Sequence, residues 1–237
     1  MMEAIILAGG RGTRLSGVVP DLPKPMASVT GRPFLSYLLD RLVAHGFTHV
    51  CLSIGYKGET IVKHFGHSFK GAQLTYACEE SPLGTGGAIR AAFPCTSAAS
   101  VFVFNGDTLA DIDLQAMRSQ HERSGDQLTV ALTEVSDSAR YGAVSVAKGH
   151  ITGFSEKGQS GQHYINAGIY LIQRGLFNTM RLPDAFSFEK DVLMDRLSKV
   201  KPGAFLSSGY FIDIGIPEDY ARAQRELPII TIQDRLR

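Results

Sequence analysis

Two hydrophobic rhythms run along this chain. Short, wholly apolar runs end in glycine or in a turn pair. Between them lie stretches where apolar residues recur every three or four positions. The runs at residues 4–8, 49–54, 74–77 and 101–104 are short and lack polar alternation, which predicts strands buried on both faces. Phe34, Leu35, Leu38, Leu39, Leu42 and Val43 follow a helical spacing, predicting a core-facing helix opened by Pro33 and ended by Gly46. Residues 26–29 predict a short strand and 30–33 a turn, and helices are predicted at 59–65 and 88–93. This strand–helix alternation predicts a parallel sheet with helices on both faces. Further along, 112–124 predicts a helix capped by Asp111 or Asp113, and strands are predicted at 128–135, 141–146, 151–154, 164–171 and 204–206. Helices are predicted to start at Phe177, Phe188 and Pro217, the last running to about residue 226. A strand-like 229–232 lies in the tail 227–237, which would pack at a sheet edge or at a subunit contact.

The chemistry gathers at strand ends. The first strand leads into Gly9-Gly10-Arg11-Gly12-Thr13-Arg14. Glycines there let backbone approach a ligand, and ligands of open α/β sheets bind at the carboxyl ends of strands. Amides with guanidinium groups suit a polyphosphate; a Gly-rich turn with solvated arginines is the plain alternative. Leu15 stands where a dinucleotide fingerprint needs Gly or Ala, and no P-loop pattern is present. Lys24 is held between Pro23 and Pro25, on a segment that the prolines stiffen.

A second Gly-rich loop, Glu79-Glu80-Ser81-Pro82-Leu83-Gly84-Thr85-Gly86-Gly87, follows a strand and opens a helix. A carboxylate there can accept from the paired N–H donors of guanine, or simply favour the helix N-terminus. Asp107 ends a central apolar strand, a placement suited to Mg²⁺ or to an Asx turn. Asp213 interrupts an apolar run, which is costly unless its carboxylate is paired or bound to metal. Asn166, among apolar neighbours, needs partners as well. His64 and His67 read more simply as a solvated helix end than as metal ligands, and Glu189-Lys190-Asp191 as a solvated first turn. Asp111-x-Asp113 has the spacing of a glycosyltransferase metal motif but falls at a helix start, which leaves Asp107 the better ligand.

Composition narrows the classes. At 237 residues and 44% apolar content, the chain can form one large α/β domain or two small ones. A net charge of +1 gives no broad footprint for nucleic acid or anionic membrane. Three cysteines with no C-x-x-C argue against a disulfide framework or zinc ribbon and fit a reducing compartment. No secretory leader is visible and no apolar run approaches the ~20 residues of a membrane span. The expectation is a cytoplasmic protein.

Leu7-Ala8-Gly9-Gly10-Arg11-Gly12-Thr13-Arg14-Leu15, with Pro23-Lys24-Pro25 about ten residues on, resembles the signature of the sugar-1-phosphate nucleotidyltransferases, and later motifs extend the resemblance over about residues 2–226. It implies a single-domain α/β fold, Rossmann-like, with a mixed, mostly parallel sheet. The catalytic domain would span 1–226, with a nucleotide-binding half of about 1–110 and a sugar-binding half of about 111–226. The loop from Leu7 to Thr13 would hold the nucleotide, with Ala8, Gly9, Gly10, Arg11 and Gly12 along it. Arg14 would contact the triphosphate and Lys24 the reacting phosphates.

Pro82-Leu83-Gly84-Thr85-Gly86-Gly87 resembles the family's second nucleotide loop, implicating Glu79, Glu80, Gly84 and Thr85. Ser81 stands where most guanylyltransferases carry Glu, so Glu79 or Glu80 would read the base. Asp107 and Asp213 would hold Mg²⁺, the latter within a close match to the family's closing motif, Asp213-Ile214-Gly215-Ile216-Pro217-Glu218-Asp219-Tyr220. Asn105, Gly142, Glu156 and Asn166 would contact the sugar and Lys157 its phosphate.

The activity implied is transfer of a nucleotidyl group from an NTP to a sugar 1-phosphate. Within the family the chain resembles the short guanylyltransferases that use GTP and D-glycero-D-manno-heptose 1-phosphate for bacterial surface polysaccharide. Transfer to mannose 1-phosphate, uridylyl transfer to another sugar and a non-catalytic nucleotide-sugar sensor are the alternatives, and a homodimer is one admissible assembly.

Overall fold

The computed structural model describes residues 2–10, 12, 15, 17, 22–135, 141–155 and 163–234, with side chains as far as 229. The apolar runs become strands β1 (Met2–Leu7), β4 (Phe47–Ile54), β6 (Ala72–Cys78) and β7 (Ser100–Asn105). Between them come the two-residue hairpin β2 (Ser28–Val29) and β3 (Arg32–Pro33), helix α1 (Phe34–Ala44), α2 (Gly58–Phe65), β5 (Ser68–Phe69) and α3 (Gly84–Ala92). The chain continues through β8 (Thr108–Ala110), α4 (Leu114–Ser124), β9 (Leu128–Val135), β10 (Val144–Ala147), β11 (His150–Phe154) and β12 (His163–Gln173). It closes with α5 (Leu197–Val200), β13 (Gly203–Ser207), β14 (Phe211–Asp213) and α6 (Pro217–Asp234).

Ten strands form one sheet in the order β10-β11-β13-β9-β12-β7-β1-β4-β6-β5. β1 pairs in parallel with β4 and β7, and β4 with β6. β12 lies antiparallel between β7 and β9, and β5 and β11 also run against the majority direction. The result is a mixed sheet with most strands pointing one way. Both of its faces are apolar because strand side chains alternate. Ala4, Ile6, Phe102 and Phe104 meet α1, α2 and α4 through Leu38, Leu42, Ile61 and Met117. Ile5, Val101 and Val103 meet α3 and the 188–193 segment on the other face. A third cluster, including Leu15, Phe34, Leu109, Ile212 and Leu227, packs the short ribbon of β8 and β14 against α6.

Five expectations change. α3 begins at Gly84 rather than at residue 88, because Phe186 O accepts Gly86 N at 3.0 Å and Gly87 N at 3.3 Å; an external acceptor offsets the poor helix propensity of the glycines. Residues 24–26 form a 3₁₀ turn ahead of β2, so the strand expected at 26–29 is shortened. Phe177 lies in a 3₁₀ turn, Leu176–Thr179, and not at a helix start. α6 continues to Asp234 with Pro228 inside it, so 229–232 is not a strand. Ala223 and Leu227, one turn apart, are buried in the third cluster, and this packing outweighs the β-branched preference beyond them. The helix expected at Phe188 is a π-helix, Phe188–Met194. No helix among the described residues is long and apolar enough to cross a membrane.

Candidate active site

The carboxyl ends of β1, β6 and β7 open on a cleft of about 650 Å³. Its floor is the first glycine loop. Ala8 N donates to Ser53 O at 2.8 Å, and Gly106 N to Leu7 O at 2.9 Å, so the loop is pinned to the ends of β4 and β7. Leu7, Gly9, Gly10 and Gly12 line the cleft, whereas Ala8 is buried beneath it. A Cβ on Gly9 would lie 2.7 Å from Glu79 Oε1. A side chain there would push the Glu79 carboxylate aside and crowd Gly55 N, 3.2 Å away, so glycine lets the two loops close on each other.

Lys24, Asp107 and Asp213 meet at the mouth of the cleft. The 3₁₀ turn fixes the Lys24 backbone, with Ala27 N donating to Lys24 O at 3.0 Å. β14 pairs antiparallel with β8, placing Asp213 opposite Thr108 and therefore beside Asp107. Ile214 N closes the ribbon on Asp107 O at 3.0 Å. Lys24 Nζ donates to Asp107 Oδ2 and lies 3.5 Å from Asp213 Oδ1. Gly215 N donates to Asp213 Oδ1 at 2.7 Å. Burial first, and then the charge of Asp107, push the Asp213 carboxyl above its ordinary range, against the pull of Lys24. Two carboxylates held this close need positive charge between them. Here an ammonium provides it, and carboxylate oxygens are also the donor type that suits a hard divalent cation.

The second loop separates its two glutamates. Glu79 is half-buried and committed: Leu83 N donates to Oε2 at 3.1 Å and Ser53 Oγ to Oε1 at 3.3 Å. Glu80 is exposed and has no hydrogen-bond partner among the described residues, and both glutamates line the cleft. Gly84 and Thr85 line the cleft too.

Thr85 leads to a residue that the sequence reading missed. Its Oγ1 donates to Glu189 Oε2 at 2.6 Å and accepts from Phe188 N at 2.9 Å. Glu189 also takes Ser187 Oγ at 3.2 Å and the Tyr170 hydroxyl at 3.4 Å. Tyr170 in turn accepts from Asn166 Nδ2 at 2.9 Å. The expectation of a solvated first turn fails for Glu189, and for Asp191, whose Oδ2 accepts Ser187 N at 2.7 Å. The sequence did carry a signal: Phe188 and Val192 both turn inward, which leaves position 189 beside the buried face.

Among the residues expected to contact sugar, Asn105 lines the cleft, with a buried Oδ1 that has no partner among the described residues. Gly168 backs it at φ +68°, and a Cβ there would lie 2.7 Å from Asn105 Nδ2. Gly142 and Asn166 stand outside the cleft lining. Both ends of the Asn166 amide are engaged, Oδ1 by Gly168 N at 2.9 Å. Arg11, Thr13, Arg14, Glu156 and Lys157 lie outside the described residues. Asp113 caps α4 by accepting Ala116 N at 2.9 Å, and Asp111 pairs with Arg41, so both carboxylates of the Asp-x-Asp pair are committed to structure. His64 and His67 pack edge-on against Phe65 and Tyr76.

A doubly covered α/β sheet, glycine loops at its strand ends and a lysine between two aspartates describe an enzyme that handles nucleoside phosphates. The chain belongs to the nucleotidyl transferase family, whose profile matches residues 3–228. It is 44% identical to a D-glycero-alpha-D-manno-heptose 1-phosphate guanylyltransferase of Aneurinibacillus thermoaerophilus, over 95% of this chain and 98% of that one. It is 40% identical to the Campylobacter jejuni protein of the same name, over 92% of this chain and 97% of the other. A crystal structure of HddC from Yersinia pseudotuberculosis complexed with GMP-PN superimposes with a TM-score of 0.85 at 36% identity, covering 95% of this chain and 99% of that one.

Proposed function

We propose that this chain transfers GMP from GTP to D-glycero-D-manno-heptose 1-phosphate, giving GDP-heptose and pyrophosphate for bacterial surface polysaccharide. The observation that carries the chemistry is the convergence of Lys24, Asp107 and Asp213 at the mouth of a glycine-floored cleft. The relatives' names support the choice of nucleotide and sugar. A phosphate oxygen of the sugar 1-phosphate attacks the α-phosphorus of GTP. A new P–O bond forms, the bond between the α-phosphorus and its bridging oxygen breaks, and pyrophosphate leaves with the electron pair. No covalent enzyme intermediate is needed, so the protein contributes positioning and charge neutralisation.

Lys24 holds charge at the reacting phosphates, and the Gly9–Gly10 backbone lets the triphosphate lie close to β1. Asp107 and Asp213 are the residues to hold Mg²⁺, which supplies neutralisation of phosphate charge when bound. Arg14 and Lys157 are assigned to the triphosphate and to the sugar phosphate on the family motif. Glu80, free and facing the cleft, is the base reader. Its carboxylate matches the two donors on one edge of guanine, while Glu79 anchors the loop.

The test is pyrophosphate release with Mg²⁺ and each of GTP, UTP, CTP, ATP and dTTP against manno-heptose, mannose and glucose 1-phosphates. Release confined to GTP with the heptose substrate is the expected result. Release with another pair overturns the substrate assignment. Nucleotide-sugar binding without release from any pair would make the chain a sensor.

A further inference from the structure

A separate pocket of about 370 Å³ lies at the amino end of β9, lined by Gln127, Thr179, Arg181, Arg196, Lys199 and Val200 among others. β12 joins this edge of the sheet to the cleft edge. Gln173 N donates to Gln127 O at 2.9 Å at one end, and the lining of the pocket shares no residue with that of the cleft. The pocket is therefore no extension of the cleft.

Its charge is one-sided. Among the described residues, no acidic one lines it. Of the acids close by in sequence, Asp126 is held by Ser124 Oγ at 2.7 Å and His150 Nε2 at 3.1 Å and Asp191 by Ser187 N, while Asp195 is exposed and outside the lining. Arg196 is half-buried and fixed by main-chain acceptors, donating to Asp191 O and, at 3.3 Å, to Arg181 O. Its remaining N–H groups are pre-oriented donors. The side chains of Arg181 and Lys199 have no hydrogen-bond or ion-pair partner among the described residues. Three cations with a hydroxyl and an amide match the oxygens and charge of a phosphoryl group. The volume falls within the range of pockets that take small metabolites.

The pocket is also wired to the cleft. Arg196 grips the carboxyl end of the π-helix, where Asp195 N donates to Lys190 O at 2.9 Å. The amino end of the same segment carries Glu189, which holds Thr85 in the second nucleotide loop. Single π turns of this kind concentrate at functional sites. The geometry points to a second, non-catalytic site for a small phosphate-bearing metabolite, coupled through residues 187–196 to the cleft's affinity for nucleotide. The coupling rests on the reading of the Thr85 loop as nucleotide-binding; the binding does not.

Calorimetric titration with inorganic phosphate and with glucose 6-phosphate tests the site without turnover. The wild-type chain is compared with Arg181→Ala/Lys199→Ala, both exposed positions remote from the cleft. The expected result is one binding event fewer in the variant. Tighter binding of glucose 6-phosphate than of phosphate would assign the ligand to sugar monoesters, and the reverse to the free anion. Glucose 6-phosphate should also shift the dissociation constant of GTP at least threefold in wild type and not in the variant, a coupling that is reciprocal by linkage. Equal stoichiometry and affinity in the two proteins would overturn the site. Loss of binding in the variant with no shift in GTP affinity would overturn the effector role. Absence of GTP binding in both proteins would instead count against the proposed function, and the anion titration would still decide the site.

Discussion

Glu189→Gln, combined with Thr85→Val, probes the contact that joins the second nucleotide loop to the body of the protein. The Thr85–Glu189 bond is 2.6 Å long and has a carboxylate acceptor, and hydrogen bonds to charged groups contribute about 1.5–3 kcal/mol. Glutamine keeps the size of the side chain but turns one accepting oxygen into a donor. Tyr170 is fully buried and uses the other oxygen as its acceptor. Burial, and then the charge of Glu189, hold its hydroxyl protonated well above the ordinary tyrosine range, so it remains a donor at working pH. The amide must therefore face Thr85 and Ser187, where it can only donate, so the charge-assisted bond given by Thr85 to the carboxylate is the one lost.

Each single variant should lose about 2 kcal/mol, a fall of roughly 4–8 °C in Tm for a domain of this size. Because both substitutions delete one interaction, the double variant should cost less than the sum of the singles by about 1 kcal/mol or more. Urea and thermal unfolding followed by circular dichroism give the cycle, and the KM for GTP should rise in all three variants. Additivity within about 0.5 kcal/mol would show that the contact carries no stability, and the reasoning would fall.

Asp107→Asn and Asp213→Asn should each lower kcat about 100-fold or more, that is, by ~2.7 kcal/mol of transition-state stabilisation. Pyrophosphate release measures this, and a variant retaining a tenth of wild-type activity would remove its aspartate from the metal site. Asp213→Asn should at the same time raise Tm near neutral pH. The folded-state pKa of Asp213 lies above its usual value, so the carboxyl disfavours the folded state once deprotonated, and stability falls as pH rises through that pKa. The stabilising effect of Asn should shrink on acidification toward about pH 4, and a lower Tm for the metal-free variant at pH 7.5 would contradict the sign. Glu80→Gln should raise the KM for GTP about tenfold with Tm unchanged, whereas Glu79→Gln should lower Tm through its bonds to Leu83 N and Ser53; the opposite pattern would exchange their roles.

The strands were legible in the chain because burial on both faces leaves its record in consecutive residues. β9 spans 128–135 as the apolar run predicts, and the helical stripe of 34–43 becomes α1. The glycine loops and Asp107 at a strand end were legible for the same local reason, since the turn after a strand needs small residues and a carboxylate there has no packing role. Relations between distant segments were not legible. Lys24 reaches Asp107 across 83 positions, and Thr85 reaches Glu189 across 104. Neither partner shows in the neighbouring residues, so Glu189 looked like one more solvated charge. Glu79 and Glu80 both line the cleft, and it is Ser53 at the end of β4, with Leu83 N, that ties down the first and leaves the second without a partner among the described residues. The onset of α3 was settled by the Phe186 carbonyl, and the length of α6 by the burial of Leu227. Sequence alone determined which residues must be buried and where backbone must turn, because those demands are met within a few residues. The tertiary structure decided which charges face one another, because ion pairs and hydrogen bonds depend on ångström distances that only the packed sheet sets.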